Sequence, residues 1–448
     1  MKSLKILKFF EKGSFFLFVL TFPLGIKKAI FSFSFFRSDF LTAFFYPSEI
    51  FLIFTLLVWF VSFFFERKFF KFEKFDLFLA FFGLTLFLKT IFSLKPLLSL
   101  YYLFRILEGI LLYFYLKTNF SSLKNLFFSA LALGGFFEGS LALFEFFNQK
   151  SLGLYFLGEP KISYFIPNIA KFSSNEGRFI RSIGTFPHAN VLACFLVLSL
   201  ASFLWLWFKK EKRNFWFLSF FSLGLFFNFF GLLTSFSRSG FLASFILLLS
   251  LPVIFFKKPA LREKTKELIL IFLILAILGF FFFKDLILVR AKVSPHEPAV
   301  SFREIYLEMA KEVAQKTKLL GTGLGNYLVF VEKSNLFSKY HLTLPFYWQP
   351  VHNLYFLILD EIGIFGLISF LLFLGSLLVF KKRETLKDEL FFYLLIGYLC
   401  WGFFDHFFWT LYQGIIIFWL ALGVFASQLK TSPRGARIFK NSICRINF

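Results

Sequence analysis

HNLYFLILDEIGIFGLISFLLF, residues 352–373, is an apolar run of membrane-spanning length that begins with a histidine and an asparagine. A polar pair at a membrane boundary remains available for chemistry, whereas the same pair deep in lipid is costly unless it is satisfied. Gly363 and Gly366 are typical of positions where two helix backbones approach closely. The run therefore predicts a membrane helix with His352 and Asn353 at its water-facing end.

The composition of the whole chain agrees with this helix. Of 448 residues, 58% are hydrophobic and 17% charged, and the charged share is well below the roughly 25% of an ordinary soluble domain. Apolar runs of about 20 residues recur from end to end. The 83 phenylalanines are expected to fill lipid-facing positions. The chain is predicted to be an all-α polytopic membrane protein.

The lysines and arginines define a topology. The formal net charge is +23, but most lysines stand in short clusters between apolar runs, so nucleic acid is not an expected partner. Every second connection is basic, which by the positive-inside rule places both termini in the cytoplasm. We predict about twelve spans, near residues 4–24, 48–65, 76–94, 97–116, 125–147, 188–208, 214–234, 239–256, 267–283, 352–380, 388–405 and 409–427. They form one transmembrane domain, 1–430, followed by a cytoplasmic tail, 431–448.

Two connections on the outer face are long, residues 148–187 and 284–351, and long loops in compact proteins are usually functional or disordered. In the second, Ser301 and Glu304 have capping-box spacing and precede an amphipathic helix of roughly five turns. The helix ends in GTGLGN, residues 321–326. No strand precedes these glycines, so they do not match a dinucleotide-binding fingerprint. A tight turn that brings backbone amides near an anionic ligand is predicted instead.

Polar residues gather at the predicted outer ends of the spans. Arginine suits phosphate better than it suits a lipid-facing turn, because it is always charged and binds in a bidentate manner. Each arginine alone is equally compatible with interfacial anchoring. The candidates are Arg178, Arg181, Arg238, Arg303, His352 and Asn353, and His188, Asn190 and the Asp405-His406 pair lie at the same level. No metal-ligand spacing is present, and neither a metal nor a cofactor is expected.

Several charges fall inside predicted spans. Arg105 and Glu108 are one helical turn apart and are predicted to pair. The carboxylates Glu138, Glu145, Asp360 and Glu361 indicate a polar interior or a route for a lipid carrier. A proton-driven transporter or flippase would also place carboxylates there. The absence of paired broken helices and of an internal repeat disfavours that alternative.

Three motifs in order resemble a known family. TSFSRSG (234–240), the segment that begins FREIYLEMAK at Phe302, and HN-x9-GIFG from His352 resemble the O-antigen ligase and polymerase superfamily of bacterial envelope glycosyltransferases. The resemblance covers roughly residues 210–370. It implies about twelve spans with a large outer loop before the histidine. It also implies transfer of a glycan from a polyprenyl diphosphate carrier, without nucleotide sugar or metal.

The resemblance also implies roles for individual residues. Arg238 and Arg303 match the family's outer-loop arginines and would hold the donor diphosphate. His352 matches the histidine that assists attack by the acceptor hydroxyl. Arg178 and Arg181 are expected to contribute to substrate binding, and Asn353 is expected to orient His352 or cap its helix. The chemistry agrees, because two arginines can neutralise a diphosphate leaving group and a neutral histidine is a suitable base. Attack opposite the leaving group would invert the anomeric centre.

The sequence leaves open which reaction within the superfamily the chain performs. A ligase transfers the glycan to the lipid A core during lipopolysaccharide synthesis. A polymerase uses another carrier-linked repeat, and a protein O-oligosaccharyltransferase uses a Ser or Thr hydroxyl. The large loop directly before His352 favours the ligase. The predicted location is the bacterial inner membrane, with the active site on the periplasmic face.

Overall fold

The computed structural model describes residues 2–34, 38–65, 72–166, 169–174, 177–292 and 298–427. The predicted cytoplasmic tail, 431–448, lies outside these residues. The described chain is mostly helical, as predicted. Its helices are α1 (Lys2–Thr21), α2 (Ser48–Phe65), α3 (Lys74–Ile91), α4 (Pro96–Asn148), α5 (Ala189–Lys209), α6 (Phe215–Thr234), α7 (Arg238–Leu248), α8 (Ser250–Lys257), α9 (Arg262–Ala291), α10 (Pro298–Lys316), α11 (Tyr327–Lys333), α12 (Leu336–Lys339), α13 (Leu354–Phe380), α14 (Leu386–Trp401), α15 (Phe407–Thr410) and α16 (Tyr412–Ala426).

Two antiparallel hairpins correct the prediction of an all-α fold. β1 (Lys28–Ser32) pairs with β2 (Thr42–Phe45), and β3 (Lys171–Ser174) pairs with β4 (Gly177–Ile180). Both lie in connections between helices. Strands of four or five residues carry too little periodicity to stand out beside apolar runs of 20 residues.

By length and composition, six helical stretches of the described chain could cross a membrane. They are Pro96–Asn148, Ala189–Lys209, Phe215–Thr234, Arg238–Lys257, Pro259–Ala291 and Leu354–Phe380. Ser48–Phe63 and Tyr412–Ala426 are shorter apolar helices. The total of about twelve spans therefore stays a prediction.

Helix α4 differs most from the predicted layout, because it runs without interruption through the segment 117–124 that was expected to connect two spans. Arg105 and Glu138 are 33 residues apart in it, which is about 50 Å along a straight helix. Yet Arg105 lines the same cavity as Thr185, whose hydroxyl donates to Glu138 over 2.6 Å. Helix α4 therefore bends between these residues, and the prediction of a loop at 117–124 was wrong.

The centre of the bundle is α5. Almost all its residues are buried, as expected for a helix that is apolar on every side. Beside it, α4 and α6 approach closely through glycines: a Cβ on Gly139 would lie 2.4 Å from the carbonyl oxygen of Phe227, and one on Gly231 would lie 2.6 Å from the Cα of Gly139. Small residues commonly permit such contact between membrane helices.

Gly363 interrupts α13. The prediction that it packs two helices together was wrong. Its φ of 77° lies in the left-handed region, and a Cβ there would stand 2.5 Å from the carbonyl oxygen of Leu320. The break receives the glycine turn after α10, because the amides of Thr322 and Gly323 donate to the carbonyl oxygens of Asp360 and Glu361. The amides that were predicted to face an anionic ligand therefore bind α13.

The amphipathic helix is confirmed as α10, with 19 residues or about five turns. Tyr306, Met309 and Val313 are buried on its predicted apolar face. The helix begins at Pro298, before Ser301, so the predicted capping box at Ser301 and Glu304 was wrong. Proline at a helix start has a preset φ and loses no helical hydrogen bond.

The buried charges hold loops against helices. Arg105 pairs with Glu108 over 3.0 Å, as predicted, and also with Glu49. The carboxylate of Glu145 accepts from the amides of Ile183 and Gly184. In the same way Glu138 accepts from the amide of Thr185, and Glu361 accepts from the amide of Gly325 and the indole of Trp409. These bonds give Glu138, Glu145 and Glu361 a structural role that the predicted carrier route did not include.

Candidate active site

Three helices begin side by side at one end of the bundle, each with a side-chain cap. His188 accepts from the amide of Asn190 before α5, and Ser237 accepts from the amide of Gly240 before α7. Asn353 accepts from the amides of Tyr355 and Phe356 in the first turn of α13. Side-chain hydrogen bonds join the first two starts, since the Ser237 hydroxyl donates to Asn190 over 3.0 Å. Helix N-termini carry partial positive charge, so this end of the bundle favours an anion.

A buried network of hydrogen bonds connects the starts of α5 and α7 to Asp405. Arg181 donates to the side-chain oxygen of Asn190 over 2.7 Å and to the carbonyl oxygen of Ser235 over 2.7 Å. Asn190 in turn donates to Asp405 over 2.8 Å, and the same carboxylate accepts from the amide of His406. Polar groups buried together in this way fix one another in place when all are satisfied.

The hydrogen-bond network includes the carboxylate of Asp405, which is surrounded by histidines. Burial alone would raise the pKa of Asp405, but His352, His406 and His188 together with the amide of Asn190 lower it to about 2. Burial lowers the pKa of His188 and of His406 to about 3. At neutral pH this part of the site therefore holds one negative charge among neutral imidazoles.

His352 lies between these groups and α10. Its ring stacks on Tyr306, with centroids 5.5 Å apart and planes 9° apart, and meets His406 edge-on at 5.1 Å. Nδ1 lies 3.2 Å from the carbonyl oxygen of Pro350. Because that oxygen can only accept, Nδ1 carries the proton in this contact and Nε2 of the neutral ring has a lone pair. Burial lowers the pKa of His352, Arg303 lowers it further, and Asp405 opposes the shift.

Arg303 is half-buried on α10, and within the described part of the chain its guanidinium makes no hydrogen bond or ion pair. Its charge acts on Arg181, whose pKa is lowered to about 9 by burial and then by Arg290, Arg303 and Arg238. Arg238 donates to the carbonyl oxygens of Arg290 and Lys292 over 2.9 and 3.0 Å, so it also holds the end of α9 beside α7. The four arginines form one cationic neighbourhood next to the helix starts.

A cavity of about 690 Å³ opens beside this cluster. Its wall includes His352, His188, His406 and Asp405 together with aromatic and proline residues of the segment 345–349. Within the described residues, no group of three or more His, Cys, Asp or Glu side chains has a metal-binding arrangement. The cavity therefore presents a histidine whose Nε2 has no described protein partner, next to a region of positive charge.

The structure brings together four of the six candidates named from the sequence, namely His352, Arg303, Arg238 and Arg181. Asn353 caps α13, and its side-chain nitrogen donates to the carbonyl oxygen of Phe403 over 3.2 Å. Both ends of this side-chain amide are therefore hydrogen-bonded within the protein. Arg178 is exposed on β4, opposite Ser173, and has no hydrogen bond or ion pair in the described region.

Sequence reasoning missed the carboxylate and histidine group and Arg290. The sequence places Asp405 and His406 only at the level of the outer ends of the spans, about 50 residues from His352. Arg290 was hidden because α9 continues to Ala291 past a kink at Phe283, whereas the predicted span ended at 283. An arginine directly after an apolar run was the available signal.

The fold and this end of the bundle define a helical membrane protein with a histidine and an arginine cluster beside a cavity. Residues 223–371, a third of the chain, match the family model described as O-antigen ligase. This match supports the resemblance to the O-antigen ligase superfamily that the sequence motifs predicted. No curated protein and no solved structure matches it. The matched range contains Arg238, Arg303, His352 and Asn353 but not Arg178 or Arg181.

The match to this family model supports a general function. O-antigen ligases act in membrane glycan ligation or polymerisation, with a lipid-linked glycan and an acceptor as partners. The apolar helices agree with a bacterial membrane protein of glycosyltransferase-like activity.

Proposed function

We propose that the protein is an inverting glycosyltransferase that moves a glycan from a polyprenyl diphosphate carrier to the hydroxyl of a lipid A core sugar. His352 is the general base, and Arg303 and Arg238 neutralise the diphosphate. Arg181 positions the starts of α5 and α7 through its hydrogen bond to Asn190. The observation that carries the proposal is the position of His352, which lines the cavity with Nε2 free of described protein partners and stands in the field of Arg303.

In the proposed reaction, Nε2 of His352 takes the proton of the acceptor hydroxyl as that oxygen forms a bond to the anomeric carbon. The bond from this carbon to the diphosphate oxygen breaks on the opposite face, and the carrier diphosphate leaves. Neutralisation of the leaving group by arginine lowers the barrier, because the guanidinium groups meet charge that develops in the transition state. The buried network of Arg181, Asn190 and Asp405 keeps the helix starts in place during the step.

The acceptor is tested by the envelope glycans of a deletion strain. Loss of all long chains from lipid A, with polymer accumulating on the carrier, is the result expected for a ligase. A single repeat on lipid A would instead identify a polymerase. Loss of glycan from proteins alone would identify a protein O-oligosaccharyltransferase. Loss of the long chains with carrier-linked glycan trapped on the cytoplasmic face would favour a flippase.

We place the active site on the periplasmic face of the inner membrane, with both termini in the cytoplasm. Reporter fusions after residues 211, 261 and 385 are expected to report the cytoplasm, and fusions near 165 and 320 the periplasm. A cytoplasmic signal at 320 would contradict the proposal, because carrier-linked glycans could not reach the site from the periplasm.

A further inference from the structure

A second cavity, of about 250 Å³, adjoins the first. Asp39, Pro187 and Leu411 line both cavities, so a ligand in one lies next to a ligand in the other. The volume equals about eight water molecules at roughly 30 Å³ each, which suits a single small ring and not an extended chain.

Two buried polar residues that line this cavity have side-chain groups without hydrogen-bond partners among the described residues. Gln413, in the first turn of α16, is 2% exposed and lines the cavity, and its side-chain amide makes no hydrogen bond in the described chain. Tyr46 is 6% exposed, and its hydroxyl likewise has no partner among the described residues. A buried amide and a buried phenol are unfavourable without hydrogen bonds, so both indicate a ligand that supplies them.

The cavity wall is aromatic. Tyr46 and Tyr412 stack with centroids 4.2 Å apart, and Tyr101 and Phe44 complete the wall. Aromatic faces pack well against apolar C–H surfaces. A ligand that fits must therefore combine an apolar face with hydroxyl groups at its edge.

The charges around this cavity are already balanced. Arg105 lies over the rings of Tyr46, Tyr101 and Tyr412 at 4.9–5.5 Å, and it is paired with Glu49 and Glu108. The protein's own guanidinium therefore fills the place that a ligand cation would take over these rings. At the mouth, Lys27 pairs with Asp39 over 2.9 Å. These pairings disfavour both a phosphate and an ammonium ligand, and they favour a neutral polar one.

We propose that this second cavity is a subsite for one neutral sugar ring of the glycan substrates, with Gln413 and Tyr46 as its hydrogen-bonding residues and aromatic side chains as its apolar wall. The proposal rests on the proposed function for the identity of the substrate. Donor and acceptor glycans share this chemistry, and adjacency to His352 would hold either one close to the reacting centre.

The test compares two single-group deletions with matched controls. Gln413→Leu removes the amide at similar size, and Tyr46→Phe removes one hydroxyl and keeps the stacked ring. Gln315→Leu, at an exposed position of α10, and Tyr393→Phe, on α14, are the same changes away from both cavities. Thermal unfolding of the full-length proteins establishes that all four fold.

Two probes separate the possible sources of the sugar. One is the donor oligosaccharide released from its carrier by mild acid, and the other is the core oligosaccharide of the acceptor freed of lipid. Saturation-transfer NMR with purified protein in detergent micelles measures the binding of each. We expect one probe to bind the wild type and to bind Gln413→Leu and Tyr46→Phe about three- to tenfold more weakly, the usual worth of one hydrogen bond. The controls should bind like the wild type, and the probe that binds identifies the source.

The transfer reaction provides a second readout. KM for the substrate that carries the bound sugar should rise by the same factor while kcat is unchanged, because the contact is made in both the ground and transition states. Binding of neither probe, or equal binding by wild type and both cavity variants, would overturn the subsite. If the wild type binds a probe but transfers no glycan, the proposed function fails and the subsite stands. If both variants transfer glycan normally with unchanged KM, the subsite fails and the proposed function stands.

Discussion

Replacing His352 with alanine separates catalysis from stability. The capping residue of α13 is Asn353, so a substitution of His352 removes no helix cap. Its alanine variant loses one hydrogen bond, worth about 1 kcal/mol, and ring contacts with Tyr306 and His406, worth about 0.5–1.5 kcal/mol each. The free energy of unfolding should therefore fall by about 2–4 kcal/mol. The rate of transfer should fall further, by roughly two to four orders of magnitude, because a general base is lost.

The neighbouring cap provides the comparison. Asn353→Ala removes a cap worth about 1 kcal/mol but leaves the imidazole present, so transfer should fall less than about tenfold. His341→Asn, in an exposed turn, controls for the loss of a histidine as such. His352→Asn should be as inactive as His352→Ala, since an amide is not a base at neutral pH.

The assay is single-turnover transfer by purified protein, with thermal unfolding measured on the same preparations. Donor binding should be nearly unchanged in His352→Ala because the arginines remain. If His352→Ala or His352→Asn transfers glycan within about tenfold of the wild-type rate, His352 is not the base. Equal loss of rate in His352→Ala and Asn353→Ala at equal loss of stability would lead to the same conclusion.

The pH profile tests the same residue without mutation. Only neutral His352 can accept a proton, so kcat/KM should fall as pH falls through its pKa in the free enzyme. Burial lowers that pKa, so the midpoint of the fall should lie below the ordinary value of about 6.5. A midpoint clearly above 6.5 would contradict the described surroundings of His352.

Three further predictions follow from individual contacts. Arg303→Ala should abolish transfer with little change in thermal stability, because its guanidinium has no described protein partner. Arg238→Ala should lower both transfer and thermal stability, because it loses two hydrogen bonds to the end of α9. If both variants keep full activity, the two arginines are only interfacial anchors. Asp405→Asn should move the acid midpoint of kcat/KM to lower pH, because its negative charge raises the pKa of the catalytic histidine; an upward move would exclude this. Gly363→Ala should destabilise the protein by about 2 kcal/mol or more in thermal unfolding, and Gly375→Ala, which meets nothing within 4 Å, should not.

Helical patterns that repeat over several turns could be predicted from the sequence. The apolar face of α10 repeats over five turns, so its burial followed from spacing alone. The pair Arg105 and Glu108 was predictable for a similar reason, because residues three apart share a helix face. His352 was placed correctly at the start of α13, since the change from polar to apolar residues is abrupt there.

Features that depend on tertiary contact were not readable. The left-handed Gly363 looks in sequence like any small residue of a membrane helix, and its role appears only when the glycine turn at 321–325 is set against it. The helical bend of α4 carries polar residues that are typical of a loop. The histidine and carboxylate group joins residues from 188 to 406, and no local sequence pattern connects residues that far apart.

Transfer in a defined system tests the central claim most directly. Purified protein in detergent is given a polyprenyl-diphosphate-linked glycan and a lipid A core acceptor, and the product is analysed for the new glycosidic bond and its anomeric configuration. We expect the wild type to form an inverted linkage and release the carrier diphosphate, and His352→Ala to bind the donor without forming product. Product with retained configuration, or no product from folded wild type that binds both substrates, would contradict the claim.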